Sequence, residues 1–428
     1  MNNVDKQYLD LLKDILENGS IKETRSGNVR SVFGRTMRFN LSEGLPILTT
    51  KKVFTKGVIH ELLWFLKGET NIKYLIDNNV NIWTDDAYRH YKMLIEKHNE
   101  ICEIRNDVDF ENRMYMYEKL DENHNDLDIY GTITITDSLL ESDFDDDEND
   151  EFNFNESEDT IDTYCNSLTK IECLSKEEFV EMVKNEEFLS LFTEYQDNRD
   201  FSWLVFEMSV SDYRFGDLGP VYGKQWREQG QKCIDQIQTI IDTLNNNPDD
   251  RRMICMAWNT NDFDKMALPP CHYGFQIYTR ELNTLERLDW LCKHSNGEYD
   301  EWTTATKEKL DALNVPKREL SLMFSMRSND LCCGNPYNIA QYGMLAYMFC
   351  EICNMVPGEL IYNGGDIHVY ENHIKNAMEQ LSRKGSDKIP TLKFARKINK
   401  IDDFRYEDFI IEGYEPDDPI KYELNVGL

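Results

Sequence analysis

The residues from Met266 to Tyr278, MALPPCHYGFQIY, set one cysteine behind two prolines, with a histidine beside it and aromatic residues following. A thiolate is a strong nucleophile, and a stiff loop that holds it still suits addition chemistry. A plainer reading competes: the chain has 11 cysteines, and most buried cysteines are inert small hydrophobes. Nearby cations favour the ionised thiol, so the arginines matter. Arg327 sits in MRSND, flanked by hydroxyl, amide and carboxylate groups, and Arg251 and Arg252 are adjacent in NPDDRRMI. Guanidinium forks match phosphate oxygens, and such groups in an acidic chain point to a bound oxyanion. Taken singly, RR reads as a surface pair and RSND as a turn. Glu61 is the other unusual position, a carboxylate among Leu62, Leu63, Trp64 and Phe65. A satisfied structural carboxylate and a catalytic acid are both open readings there.

Defined elements have to position these groups, and 428 residues with 40% apolar content are ample for a core. A net charge of −32 excludes nucleic acid and membrane surfaces as partners by bulk electrostatics. Half of that charge lies between Asp121 and Thr160, with 16 acidic residues and no Lys or Arg. The run SDFDDDENDEFNFNESEDT cannot bury enough surface to order itself, so a partly disordered acidic insertion is expected over 90–212. Its flank, KEEFVEMVKNEEFLSLFTEY, has helix-like spacing. Residues 5–17 form an amphipathic helix pattern, and 24–41 mixes turn residues with alternating apolar ones, as a loop entering a hairpin does. GVIHELLWFLK, residues 57–67, predicts a buried helix. LNTLERLDWLCKHSNG and ATKEKLDALNVP predict two helices in a second insertion, 281–318. The N-terminus does not read as a signal or transit peptide, and no apolar run approaches membrane-spanning length. The odd cysteine count, without a ladder of spacings, fits reduced thiols in a cytoplasmic compartment. The pair Cys350 and Cys353 has no partners at zinc spacing, and no metal is expected. No Gly-rich loop of P-loop or Rossmann type occurs.

Taken in order, TRSGN, MRFNL, HELLWFLKGETNI, NIW, GDLGPVYGKQWR, NPDDRRMI, AWN, MALPPCH, RSND, NPYNIAQYGMLAYM, GGDIHVYENH, DDFRYEDFIIEGY and PIKYEL resemble thymidylate synthase, over 5–89, 213–280 and 319–428. The resemblance implies an α/β (α+β) fold with one large twisted mixed sheet, helices on one face and a sheet-to-sheet homodimer on the other. It implies reductive methylation of dUMP to dTMP with 5,10-methylenetetrahydrofolate as co-substrate, releasing dihydrofolate. Cys271 matches the nucleophile, with Arg327 beside it. Glu61 and Tyr222 match the proton-transfer groups, and Asn338 the amide that reads the uracil edge. The implied phosphate set is Arg25, Arg327 and Ser328, with Arg251 and Arg252 reaching in from the partner subunit. His368 and Tyr370 match the ribose contacts. Asp330 falls between nucleotide and folate, and Lys51, Ile82, Trp83, Leu268, Gly334 and Tyr337 match the folate surface. Met326 stands where synthases commonly carry glutamine, and Gly427 and Leu428 extend the tail beyond Val426. Two rivals remain at this level. A deoxyuridylate hydroxymethylase would use the same groups with a water quench in place of hydride, and a non-catalytic platform would use the acidic insertion.

Overall fold

The computed structural model describes residues 1–24, 26–107, 134–136, 170–200, 203–295, 297–299 and 306–423. Asn2 opens the first helix by accepting hydrogen bonds from the backbone N–H groups of Val4 and Asp5. That helix, α1 (Asn3–Asn18), buries Val4, Tyr8, Leu11, Leu12 and Ile15, the apolar stripe its sequence spacing predicts. It runs into a hairpin of β1 (Ser20–Thr24) and β2 (Gly27–Asn40). The buried helix expected at 57–67 is α2 (Thr55–Leu66), in which every residue from Gly57 to Leu66 is buried.

Two compact units are present. The first comprises Met1–Thr70, Asp77–Ile82 and Leu218–Leu428, the second Asn71–Ile76 and Trp83–Asp217. A six-stranded mixed sheet organises the first unit. Its further strands are β3 (Ile254–Met256), β4 (His272–Glu281), β5 (Arg318–Asp330) and β6 (Val356–Tyr370). The spatial order is β1-β2-β6-β5-β4-β3, with β5 and β6 parallel and the other neighbours antiparallel. Alternation along β5 buries Leu320, Leu322, Phe324 and Met326 on one face. Over that face lies the long helix Gly334–Cys353, buried along most of its length, while α1 packs on β2. Pro336 occupies the helix's first turn, where a missing N–H costs nothing, and Asn354 ends it at φ 50°. The other face exposes Ile254 and Tyr278 and half-exposes Met323. The segment 281–318 carries two helices, Thr284–His294 and Lys307–Ala312, joined to a small core of Leu291, Leu310 and Val315.

The second unit takes in the whole of 90–212. Its helices Thr84–Asp107 and Lys176–Asn185 enclose an aromatic cluster of Tyr88, Tyr91, Phe179, Tyr213 and Phe215, with Tyr91 and Phe179 centroids 5.3 Å apart. A capping box between Ser175 and Glu178 starts the second of these helices. Helical spacing does not continue to Tyr195. Glu186 ends the helix in the left-handed region at φ 60°, and Phe188–Asp200 pairs as a strand with Trp203–Arg214. Long-range pairing overrides a weak local pattern there. The acidic run 141–159 lies outside the described residues.

Candidate active site

Cys271 is half-buried and immediately precedes β4, whose first residue is His272. Proline fixes its own φ, and Pro269 and Pro270 deliver the chain to this point with little freedom. Their carbonyl oxygens accept from Arg327, Nη2 to Pro269 at 2.7 Å and Nε to Pro270 at 2.8 Å. The Arg327 backbone N–H donates to the Cys271 carbonyl at 2.9 Å. One arginine therefore grips three consecutive residues, and its Nη2 lies 3.9 Å from Cys271 Sγ. The guanidinium also stands over the Trp258 ring at 5.7 Å, a cation–π contact. Trp258 belongs to AWN, but nothing in that spacing assigns it to Arg327.

Tyr222 completes the thiol's support. It opens the short helix Tyr222–Arg227, is buried, and its hydroxyl accepts from the Cys271 N–H at 2.8 Å. Burial, and then the nearby Cys271 charge, push the phenol well above its ordinary range, so it works as a neutral hydroxyl. Its ring stacks on His272 at 4.1 Å. Burial pulls the His272 ring down to about 3, and its Nδ1 shares a 2.8 Å hydrogen bond with the Tyr342 hydroxyl. Phe65 of α2 packs beside Tyr222 and His272. Residues just behind the thiol thus have neighbours in two helices and the sheet, which leaves few alternative rotamers.

Glu61 is buried in α2 and accepts from Gln341 Nε2 at 2.8 Å. Gln341 lies in the long helix within NPYNIAQYGM, a role that the sequence reading did not assign. Burial, with the Glu61 charge second, pushes the Tyr337 phenol up to about 12, so Tyr337 and Glu61 share one neighbourhood. Asn338 accepts from Asn329 Nδ2 at 3.4 Å.

Register in the sheet brings other expected groups together. Ser328 pairs with Asp366 across β5 and β6, and Asp330 pairs with His368. His368 and Tyr370 meet edge to face at 5.3 Å. The Tyr370 phenol is raised chiefly by burial, with the charges of Asp330 and Cys271 adding. Asp330 turns the chain into the long helix by accepting from the N–H groups of Cys332 and Cys333, at 2.8 and 3.1 Å. Among the described residues, ligand atoms of Asp330, Cys332 and His373 lie within 4.8 Å of one another. Lys51 Nζ donates to the Cys332 carbonyl beside them and sits 4.6 Å over the Tyr422 ring. Lys51 is thus turned inward.

Arg251 and Arg252 are exposed, and Arg252 pairs with nearby Asp250 at 2.6 Å. Ile82 and Leu268 are half-buried in the first unit, as is Gly334, whereas Trp83 is buried in the second. Arg25 and the tail through Val426 lie outside the described residues. No described helix is long and apolar enough to cross a membrane.

The family model "Thymidylate synthase" matches residues 6–426. Similar curated proteins named "Thymidylate synthase" come from Mycoplasma mobile (34% identical over 423 residues, 98% of this chain and all of the relative) and Rhizobium rhizogenes (34% over 426, 98% of each). Another is that of Aster yellows witches'-broom phytoplasma, 31% identical over 420 residues, 98% of this chain and 99% of the relative. With a cysteine held through both its backbone groups, an arginine at its side and this coverage, the chain belongs to the thymidylate synthase family.

Proposed function

We propose that Cys271 is the nucleophile with which this chain performs the reaction of its family. Thymidylate synthases methylate dUMP reductively with 5,10-methylenetetrahydrofolate, giving dTMP and dihydrofolate, and this chain is a methyltransferase of that kind. The observation that carries the assignment is the Arg327 guanidinium 3.9 Å from Sγ while the same residue fixes the Cys271 backbone. Carbon 5 of uracil is a poor nucleophile; addition of a thiolate at C6 turns the ring into an enolate that can attack an electrophilic carbon. The folate supplies the one-carbon unit and the hydride.

Each remaining residue has a role in this proposal. Asn338 donates to uracil O4 and accepts from N3–H. Glu61, oriented by Gln341, holds or passes a proton near O4. Tyr222, neutral and hydrogen-bonded to the Cys271 amide, relays the proton that leaves C5. Arg327 and Ser328 bind phosphate with Arg25, and His368 and Tyr370 hold the ribose hydroxyl. Half-buried Tyr337, Leu268, Ile82 and Gly334 take the flat ring of the folate, and Asp330 bonds it. Lys51 meets the glutamyl tail after leaving the Cys332 carbonyl.

A homodimer is part of the proposal. It would cover the sheet face that carries Ile254, Tyr278 and Met323, and would deliver exposed Arg251 and Arg252 to the phosphate of the other copy. The catalytic domain is then 1–89 with 213–280 and 319–428, and 90–212 and 281–318 are additions to it. The free thiols of Cys173, Cys233, Cys255, Cys271, Cys292, Cys332, Cys333, Cys350 and Cys353 suit a cytoplasmic setting.

A fluorinated dUMP analogue, supplied with the folate donor, should attach covalently to residue 271 and be located there by mass spectrometry. C271S should lose both the adduct and turnover, and an adduct elsewhere would overturn the assignment. Release of dihydrofolate, followed by absorbance, separates this reaction from a hydroxymethylase, which would release tetrahydrofolate.

A further inference from the structure

We propose that Asn329 is a specificity-determining residue, which locks the Asn338 amide in the orientation that accepts uracil and rejects cytosine. The inference rests on the reading that Asn338 contacts the base. An asparagine amide is nearly symmetric in shape, and turning it by half a revolution exchanges a donor for an acceptor. In one orientation it matches uracil, which offers an acceptor at O4 and a donor at N3. In the other it matches cytosine, which offers a donor at N4 and an acceptor at N3. Asn338 alone therefore does not discriminate; something must prevent the turn.

Asn329 supplies that restraint. Its Nδ2 donates to Asn338 Oδ1 at 3.4 Å. A turned Asn338 would set two NH2 groups against each other, whereas in the present orientation Oδ1 keeps a second lone pair for N3–H. Asn329 is itself held. It is 2% exposed, and its Oδ1 accepts from Asn335 Nδ2 at 2.6 Å and from the Tyr362 hydroxyl at 2.8 Å. Asn335 and Tyr362 are fully buried, one in the long helix and one on β6. Reversing Asn338 without losing bonds would require three amides to turn together inside the protein. A buried donor left facing a donor carries a full desolvation penalty, large enough to set a preference.

Calorimetric titration of dUMP and dCMP into the full chain tests this with N329D, N329S and N338A. In N329D the carboxylate still accepts from Asn335 and Tyr362 but presents oxygen to Asn338, drawing Asn338 Nδ2 round. The ratio of dUMP to dCMP affinity should fall by about tenfold or more, with dCMP binding more tightly than to wild type. N329S removes the lock without favouring the turned state; the ratio should fall by less than in N329D, again through tighter binding of dCMP. If N329D does not fold, N329S decides alone. A merely structural role would weaken both nucleotides equally and leave the ratio unchanged, which overturns the proposal provided N338A abolishes the preference. Should N338A itself leave the ratio intact, the base-contact reading fails instead.

Discussion

Arg327 and Cys271, 56 residues apart in sequence, are joined both through their backbones at 2.9 Å and through guanidinium and sulfur at 3.9 Å. Charge and position therefore come from one residue, and they can be separated. Lysine at 327 keeps the charge but cannot fork onto the carbonyls of Pro269 and Pro270. R327K should lower kcat/KM for dUMP by about 100-fold, as expected for lost charge-assisted hydrogen bonds. Alkylation of Cys271 by iodoacetamide at neutral pH should slow as well. Unchanged alkylation would mean that the guanidinium acts on substrate alone.

Glu61 and Gln341 make a second separable pair. E61Q removes the proposed proton carrier while keeping the shape, and should lower kcat by about 100-fold or more with little effect on dUMP affinity. Q341L leaves Glu61 without that donor, so a smaller loss of kcat with a displaced pH–rate profile is expected. Steady-state kinetics across pH 5–9 checks both, and a normal profile in Q341L would remove Gln341 from the mechanism.

How much of this arrangement is legible in sequence depends on the reach of each contact. α1 and α2 follow from local spacing, since an apolar stripe or an apolar run is visible within one window. The strand Phe188–Asp200 is not, because its identity comes from pairing across a hairpin that no window contains. Cys271, Arg327 and Asn338 stand in distinctive motifs. Trp258 meets Arg327, and Gln341 meets Glu61, only after distant segments come together, while Asn329 meets Asn338 through the turn from β5 into the long helix, which side-chain type alone does not reveal. Arg251 and Arg252 read singly as a surface pair, and the single chain has them exposed; the phosphate role comes only with the family resemblance.

His272 makes the stability pH-dependent in a defined direction. Its ring is held down at about 3 by burial, against about 6.5 in an unfolded chain. Between those values the unfolded chain takes up a proton that the native ring refuses, so stability is lost as pH falls below about 6.5. H272N, whose amide oxygen can keep the Tyr342 bond, should remove this dependence. Denaturant melts at pH 7, 6 and 5 should show the variant's deficit shrinking by about 1 kcal/mol per pH unit. A deficit constant across that range would exclude the effect.

Asp5 is fully buried, and accepts from Asn2, from the N–H groups of Thr49 and Thr50 and from both threonine hydroxyls. It pins the segment that leads into Lys51. D5A should cost about 3 kcal/mol, because several buried donors lose their acceptor at once. Urea melts of D5A against wild type measure it, and a loss below about 1 kcal/mol would show that water or neighbours replace the carboxylate.

The pairing of β2 with β6 joins segments far apart along the chain, Asn40 with Glu359 and Val29 with Tyr370. Lys22 reaches Asp366 across 344 residues, and the Tyr8 hydroxyl holds the Leu331 carbonyl across 323. During synthesis, β2 leaves the ribosome long before its partner exists and must wait as an unpaired edge. The Cys271 thiol, Arg327 and the Asn338 amide can all have emerged while the sheet beneath them is still open. Competence should arrive late and abruptly, and a nascent chain stalled short of residue 356 should show no nucleotide binding at all.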